Sequence, residues 1–183
     1  MQCFQIFLGL ARNFFKATNL CKSLYMLSLK SHYQYKQSSS VPVDYTAGNV
    51  YNLQKIYEDL NDKLFQGSLK LKIGWFGRQK SRTGNSLVLG CFHEEEQLVR
   101  IHRSLDRRDV PLFFVEYVIY HEIIHSLVPR EYSSSGRTMF HGKKFKEYER
   151  RFPMYEHAIA WEKENAFLLL RGYKLVGKED GRT

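Results

Sequence analysis

The segment YHEIIHSL, residues 120–127, decides how this sequence is interpreted. It lies within a longer apolar run, residues 112–128, which begins after Pro111 and stops before Pro129. Proline suits the first turn of a helix and cannot continue a helix, so the run predicts one uninterrupted helix. Because the run is apolar on nearly all sides, we expect this helix to be buried.

The polar residues of this helix need partners. A charged side chain buried without one costs several kcal/mol or more, comparable with the ~5–15 kcal/mol stability of a whole domain. His121 and His125 are four residues apart, so their side chains lie one above the other on one helix face. Glu122 is turned about 100° from His121. This HExxH pattern predicts two metal ligands and a glutamate general base; the competing interpretation is a buried helix whose histidines have ordinary partners.

A catalytic zinc site of this kind needs a third protein ligand. His141 follows a glycine-containing polar loop and opens the next predicted helix, so its segment can fold back over the HExxH helix. We therefore predict His121, His125 and His141 as the metal ligands, a set that suits zinc and leaves a fourth position open. The competing third ligands are three glutamates farther along the chain: Glu147, Glu149 and Glu156.

The rest of the chain predicts an α+β domain. Apolar spacing predicts an N-terminal helix over residues 50–65, and alternation predicts three strands at 69–76, 86–92 and 97–102. Short connections between these strands predict a three-stranded antiparallel sheet. Two C-terminal helices, separated at Pro153, are expected after His141. The predicted boundaries are a basic N-terminal extension at 1–43, a folded domain at 44–175 and a short tail at 176–183.

The N-terminal extension carries five basic residues and precedes the first acidic residue, Asp44. Its apolar residues fall on one helical face: Phe4, Phe7, Leu8, Ala11, Phe15 and Thr18. The segment is interpreted as a dispensable extension, disordered or amphipathic; organelle targeting and association with a membrane surface are the alternatives. Its apolar stretch is too short to span a bilayer, so no integral membrane span is expected.

Composition narrows the class of protein. The chain has 183 residues, of which 43% are hydrophobic and 26% charged, a balance typical of one globular domain with a tail. Its three cysteines form no CxxC pair, which argues against a disulfide framework and against a cysteine-based zinc ribbon. Sparse cysteines also favour a reducing compartment, and we expect a cytoplasmic location.

The net charge of +9 favours a polyanionic partner such as DNA. Five basic residues cluster around the first predicted strand and the turn after it: Lys70, Lys72, Arg78, Lys80 and Arg82. Trp75 and Phe76 lie among them and could stack on bases. The competing interpretation is a pair of core aromatics beside a solvated turn. This cluster supports the main alternative function, a basic nucleic-acid-binding module in which zinc is structural.

Six stretches carry a resemblance to a known family: LQKIYEDLNDKLF (53–65), LKLKIGWF (69–76), SRTG (81–84), QLVRIH (97–102), VIYHEIIHSL (118–127) and HGKKF (141–145). Together they resemble the SprT-like zincin domains, which include the Spartan-type DNA–protein crosslink proteases. Several members carry a C-terminal cysteine zinc ribbon that the three cysteines here do not supply.

The resemblance implies a zincin-like minimal protease fold. It implies that His121, His125 and His141 bind zinc and that Glu122 is the general base. The implied reaction is hydrolysis of peptide bonds in a protein or peptide substrate, with DNA-associated proteins as one substrate class. Tyr132 and Tyr155 are candidates for stabilising the oxyanion by their positions in the sequence.

Overall fold

The computed structural model describes residues 2–7, 45–78, 86–132, 136, 138–173 and 175. Within these ranges the chain forms four α-helices: α1 (Leu53–Phe65), α2 (Leu112–Leu127), α3 (Lys143–Glu149) and α4 (Tyr155–Arg171). It also forms six strands: β1 (Gln2–Phe7), β2 (Lys72–Phe76), β3 (Ser86–His93), β4 (Leu98–His102), β5 (Glu131–Tyr132) and β6 (Thr138–Met139). No helix in this part of the chain is long and apolar enough to cross a membrane.

The main sheet has four strands in the order β1-β3-β4-β2, and the domain is α+β as predicted. Strand β3 pairs antiparallel with β1 and β4, whereas β2 pairs parallel with β4. All three predicted strands lie in this sheet, but the prediction of a wholly antiparallel arrangement is wrong for β2, and β1 adds a fourth strand that was not predicted. A short hairpin joins β3 to β4, and these two strands pair antiparallel. Nine residues, 77–85, separate β2 from β3, and this longer connection lets β2 pair with β4 instead.

The predicted N-terminal helical face is also wrong where the structure describes it. Residues Gln2–Phe7 form a strand that pairs with β3, with Cys3 opposite Cys91. A strand edge offers a row of backbone donors and acceptors, and such pairing overrides a weak local helical pattern. The remaining positions of that face, and the tail at 176–183, lie outside the described residues.

Helix α2 lies at the centre of the domain, which confirms the prediction of a buried helix at this position. It contacts strands β1, β3 and β4 on one side and helices α1, α3 and α4 on the others. Residues Val115, Ile119 and Ile123 are fully buried along it. Because packing surrounds this helix, the side chains that it carries have little freedom to move.

Candidate metal centre

The three predicted ligands come together in the structure. Helix α2 places the rings of His121 and His125 edge to face, with their centroids 5.1 Å apart. His141, two residues before α3, places its Nε2 atom 3.2 Å from Nε2 of His121 and 3.1 Å from Nε2 of His125. Ligand atoms of all three residues lie within 4.8 Å of one another. The three imidazoles can therefore hold a metal ion.

The same crowding keeps the imidazoles of His125 and His141 neutral. Burial, reinforced by the rings of His121 and His141, lowers the pKa of His125 to about 2. Part of the His141 side chain is exposed, but its ring lies 4.9 Å from each of the other two rings, and burial of the ring lowers its pKa to about 4. A metal ion binds the neutral form of imidazole, so no proton has to leave these two residues at neutral pH.

Phe145 forms the support of the cluster. Its side chain is 1% exposed, and its ring centroid lies 4.9 Å from His121, 4.5 Å from His125 and 4.6 Å from His141. It stands four residues after His141, so helix α3 brings it beneath the histidine that precedes the helix. The sequence alone does not indicate this role of Phe145, although the HGKKF stretch contains the spacing that positions it.

Glu149, one of the competing third ligands, lies behind His121 and not among the three histidines. Its Oε1 atom lies 2.8 Å from Nδ1 of His121, on the far side of that ring from the nitrogen that faces His141. Oε1 also accepts a hydrogen bond of 2.7 Å from the Tyr117 hydroxyl. Burial acts to raise the pKa of Glu149, but the hydrogen bonds from His121 and Tyr117 hold this pKa below its ordinary value. The other two competitors, Glu147 and Glu156, are exposed.

Glu122 lies between α2 and the sheet and is fully buried. Its carboxyl group packs against Gly90 of β3, where an added Cβ atom would lie 2.7 Å from Oε1 and 2.8 Å from Cγ of Glu122. The predicted general base therefore follows His121 directly in the chain but is enclosed by the strand. The sequence alone does not indicate this contact of Gly90, because a glycine within a strand has many explanations.

An open cavity of about 210 Å³ adjoins the cluster. It is lined by His125, by the chain that follows it up to Arg130, and by Glu94 across the opening. Arg130 and Glu94 form an exposed ion pair of 2.6 Å over this cavity. A larger depression of about 490 Å³ lies on the surface of α3 and is lined by none of the three histidines. Of these two cavities, only the smaller one is lined by a candidate ligand, His125.

The two candidate oxyanion tyrosines differ in environment. Tyr132, in β5, is 68% exposed. Tyr155 is half-buried at the start of α4, and its ring packs edge-on against Tyr117 with centroids 6.0 Å apart. Burial raises the pKa of Tyr155. Tyr155 therefore belongs to the packing behind the histidines.

The basic cluster is described in part. Lys70, Lys72 and Arg78 are exposed, and we call these three residues the basic face. Lys80 and Arg82 lie outside the described residues. Trp75 is 4% exposed, and its indole N–H donates to the carbonyl of Thr46, so it belongs to the core and cannot stack on a base.

The second aromatic of this cluster, Phe76, is half-buried, and the guanidinium of Arg100 lies over its ring at 5.4 Å. With Trp75 in the core and Phe76 covered in this way, the basic face can offer charge to a polyanion but little stacking.

No family model matches this chain, and no curated protein or solved structure is significantly similar to it. The chemistry of the three histidines, Glu122 and their surroundings is therefore the guide to the function of this chain.

Proposed function

We propose that this chain is a zinc-dependent metallopeptidase of the SprT-like zincin type that hydrolyses peptide bonds in protein or peptide substrates. The observation that supports this most is the convergence of three imidazole Nε2 atoms, with separations of 3.1 and 3.2 Å. Zinc–nitrogen bonds of 2.0–2.1 Å in tetrahedral geometry place two ligand atoms about 3.3 Å apart. The donor set and its spacing therefore fit zinc.

His121, His125 and His141 would hold the ion, and Phe145 would keep their rings in place. When bound, zinc lowers the pKa of a coordinated water to about 7 and polarises the scissile carbonyl. Three protein ligands leave one position open, which is the arrangement of catalytic rather than structural zinc sites. In this proposal a substrate would approach through the cavity that His125 lines.

Glu122 is the general base of the proposed reaction. Its carboxylate accepts a proton from the attacking water, holds it within the enclosed space beside Gly90, and passes it to the leaving amine. The packing of this side chain between α2 and β3 restricts its orientations. Restricted orientation favours proton transfer, because fewer arrangements have to be lost on the way to the transition state.

The test compares zinc content and proteolysis of an unfolded basic protein, with and without single-stranded DNA. Glu122→Gln removes the base and keeps the volume of the side chain, so turnover should fall by about 10²–10⁴ while zinc content and melting temperature are retained. His141→Ala should lose zinc, whereas Glu147→Ala, at an exposed site on the same segment, should keep it.

Three results would contradict parts of the proposal. Wild-type protein that contains zinc but cleaves no peptide, denatured protein or DNA-bound protein would assign zinc a structural role. Equal turnover in wild type and Glu122→Gln would remove Glu122 from the reaction. Normal zinc content in His141→Ala would remove that histidine from the ligand set.

A further inference from the structure

A chain of hydrogen bonds lies behind the metal centre, on the side of His121 that faces away from the other two histidines. The Tyr117 hydroxyl donates to Oε1 of Glu149 at 2.7 Å, and the same oxygen lies 2.8 Å from Nδ1 of His121. The three side chains are shielded from water: Tyr117 is 1% exposed, and the side chains of His121 and Glu149 are 4% and 14% exposed.

Two helices hold this chain together. Tyr117 and His121 are four residues apart on α2, and Glu149 is the last residue of α3. A neighbouring hydrogen bond of 2.8 Å, from the Tyr120 hydroxyl to the carbonyl of Tyr148, fixes the end of α3 against α2. The position of the Glu149 carboxylate is therefore set by the docking of α3 and not by local sequence.

We propose that Glu149 is a positioning residue that holds His121 in the tautomer with its proton on Nδ1, leaving the lone pair of Nε2 for the metal ion. This rests on the proposed function of the three histidines. An ionised carboxylate accepts hydrogen bonds and donates none, so Nδ1 is the donor in the 2.8 Å contact. A neutral imidazole carries one proton, so Nε2 is then unprotonated, and it is the nitrogen that faces His141.

Tyr117 has an auxiliary role in this arrangement. Its hydroxyl shares the Oε1 oxygen and so fixes the rotation of the carboxylate. Losing a carboxylate that orients a metal-binding histidine typically reduces metal affinity by about 10–100-fold. Tyr117→Phe leaves the carboxylate in place and should therefore have a smaller effect than a change at Glu149.

The experiment uses full-length wild type, Glu149→Ala, Glu149→Gln and Glu147→Gln. Zinc affinity is measured by competition with a chromophoric chelator, and the protonation of the His121 ring nitrogens by ¹⁵N NMR of the metal-free proteins at pH 7.5. We expect the proton of wild-type His121 on Nδ1, a loss of affinity of about 10–100-fold in Glu149→Ala and a smaller loss in Glu149→Gln, whose amide oxygen still accepts. Glu147→Gln, exposed two residues away, should match wild type.

If Glu149 had only a structural role, replacing it would lower the melting temperature of the metal-free protein but would change neither the tautomer of His121 nor the zinc affinity. That result would overturn the proposal. So would a wild-type His121 with its proton on Nε2 or with both nitrogens protonated. The wild-type spectrum and Glu149→Gln give this answer even if Glu149→Ala does not fold. Failure of the proposed function would give a different result. Wild-type protein would then bind no zinc, while His121 would still carry its proton on Nδ1.

Discussion

Glu122 lies fully buried beside the sheet, and the space that it occupies exists because residue 90 is glycine. An added Cβ atom at that position would lie 2.7 Å from Oε1 of Glu122, closer than real Cβ contacts, and 2.8 Å from its Cγ. Neither chain segment can retreat easily, since β3 is paired on both sides and α2 packs against three strands and three helices. The Glu122 side chain is therefore the part that would have to move.

Gly90→Ala should reduce peptide hydrolysis while zinc content is retained, because the substitution displaces the base and leaves the ligands alone. The free energy of unfolding should fall by about 1–3 kcal/mol, the usual cost of overpacking a core. The double variant Gly90→Ala, Glu122→Gln should have nearly the same turnover as Glu122→Gln alone, because both substitutions act on the carboxyl group of residue 122. Gly74→Ala is the matched control: its Cβ atom would meet the nearest atom at 3.5 Å, an ordinary contact. Wild-type turnover in Gly90→Ala would contradict this account of Gly90.

Local spacing explains which site residues the sequence could predict. The separation of His121 and His125 puts both on one face of any helix, and the loop before His141 is long enough to return to that face. Glu149 could not be distinguished from Glu147 and Glu156 in this way, because three glutamates on adjoining helical segments look alike until α3 docks. Gly90 carried no signal, since its role depends on a helix more than twenty residues away.

At the scale of elements, the segment from β5 to α3 carries the third histidine. The pairing of β5 with β6 closes this segment, and the side chain of Glu131 connects it to α3. The Glu131 carboxylate accepts the backbone N–H of Lys143 through Oε2 at 3.3 Å and that of Lys144 through Oε1 at 3.1 Å. It thus caps α3, whose own N-cap residue is glycine and supplies no side-chain cap. This contact ties the start of β5 to the start of α3, and His141 lies on the chain between them.

Glu131→Ala should weaken zinc binding by freeing the segment that carries His141. Loss of a helix cap costs about 1 kcal/mol, which corresponds to about a fivefold increase in the dissociation constant for zinc. Chelator competition measures the change, and Glu147→Ala, which is exposed on the same helix, serves as the control. Glu131→Gln should lie between wild type and Glu131→Ala, because one oxygen still accepts. An unchanged dissociation constant in Glu131→Ala would show that the cap does not position His141.

Elements were easier to predict from the sequence than their pairing. Helix α2 runs from Leu112 to Leu127, and each of β2, β3 and β4 falls within or beside its predicted segment. Alternation and helical periodicity are local, so a short window of sequence reveals them. The parallel contact of β2 with β4 and the addition of β1 depend on backbone partners far away in the chain, and no local pattern specifies them.

At the scale of the whole molecule, the excess of positive charge is the property that the metal centre does not explain. The net charge is +9, and the basic face contributes three exposed cations in and beside strand β2. With Trp75 in the core, any contact of this face with nucleic acid depends on phosphates. Phosphate contacts release counterions, so such binding weakens steeply as salt increases and is insensitive to base sequence.

We therefore expect single-stranded DNA binding whose log affinity falls linearly with log salt concentration, by about 0.7 per phosphate contacted. Replacing Lys70, Lys72 and Arg78 by alanine should lower that slope by about 2 if each residue contacts one phosphate. Removing the same charge elsewhere, from the exposed residues Lys55, Lys63 and Arg171, should change the slope far less. Fluorescence anisotropy titrations at several salt concentrations measure the slope for both triple variants.

Equal slopes for the two triple variants would show that net charge alone attracts DNA, and absence of binding by wild type at low salt would remove nucleic acid as a partner. Proteolysis that DNA stimulates in wild type but not in the basic-face variant, with zinc content unchanged, would connect this face to the metal centre.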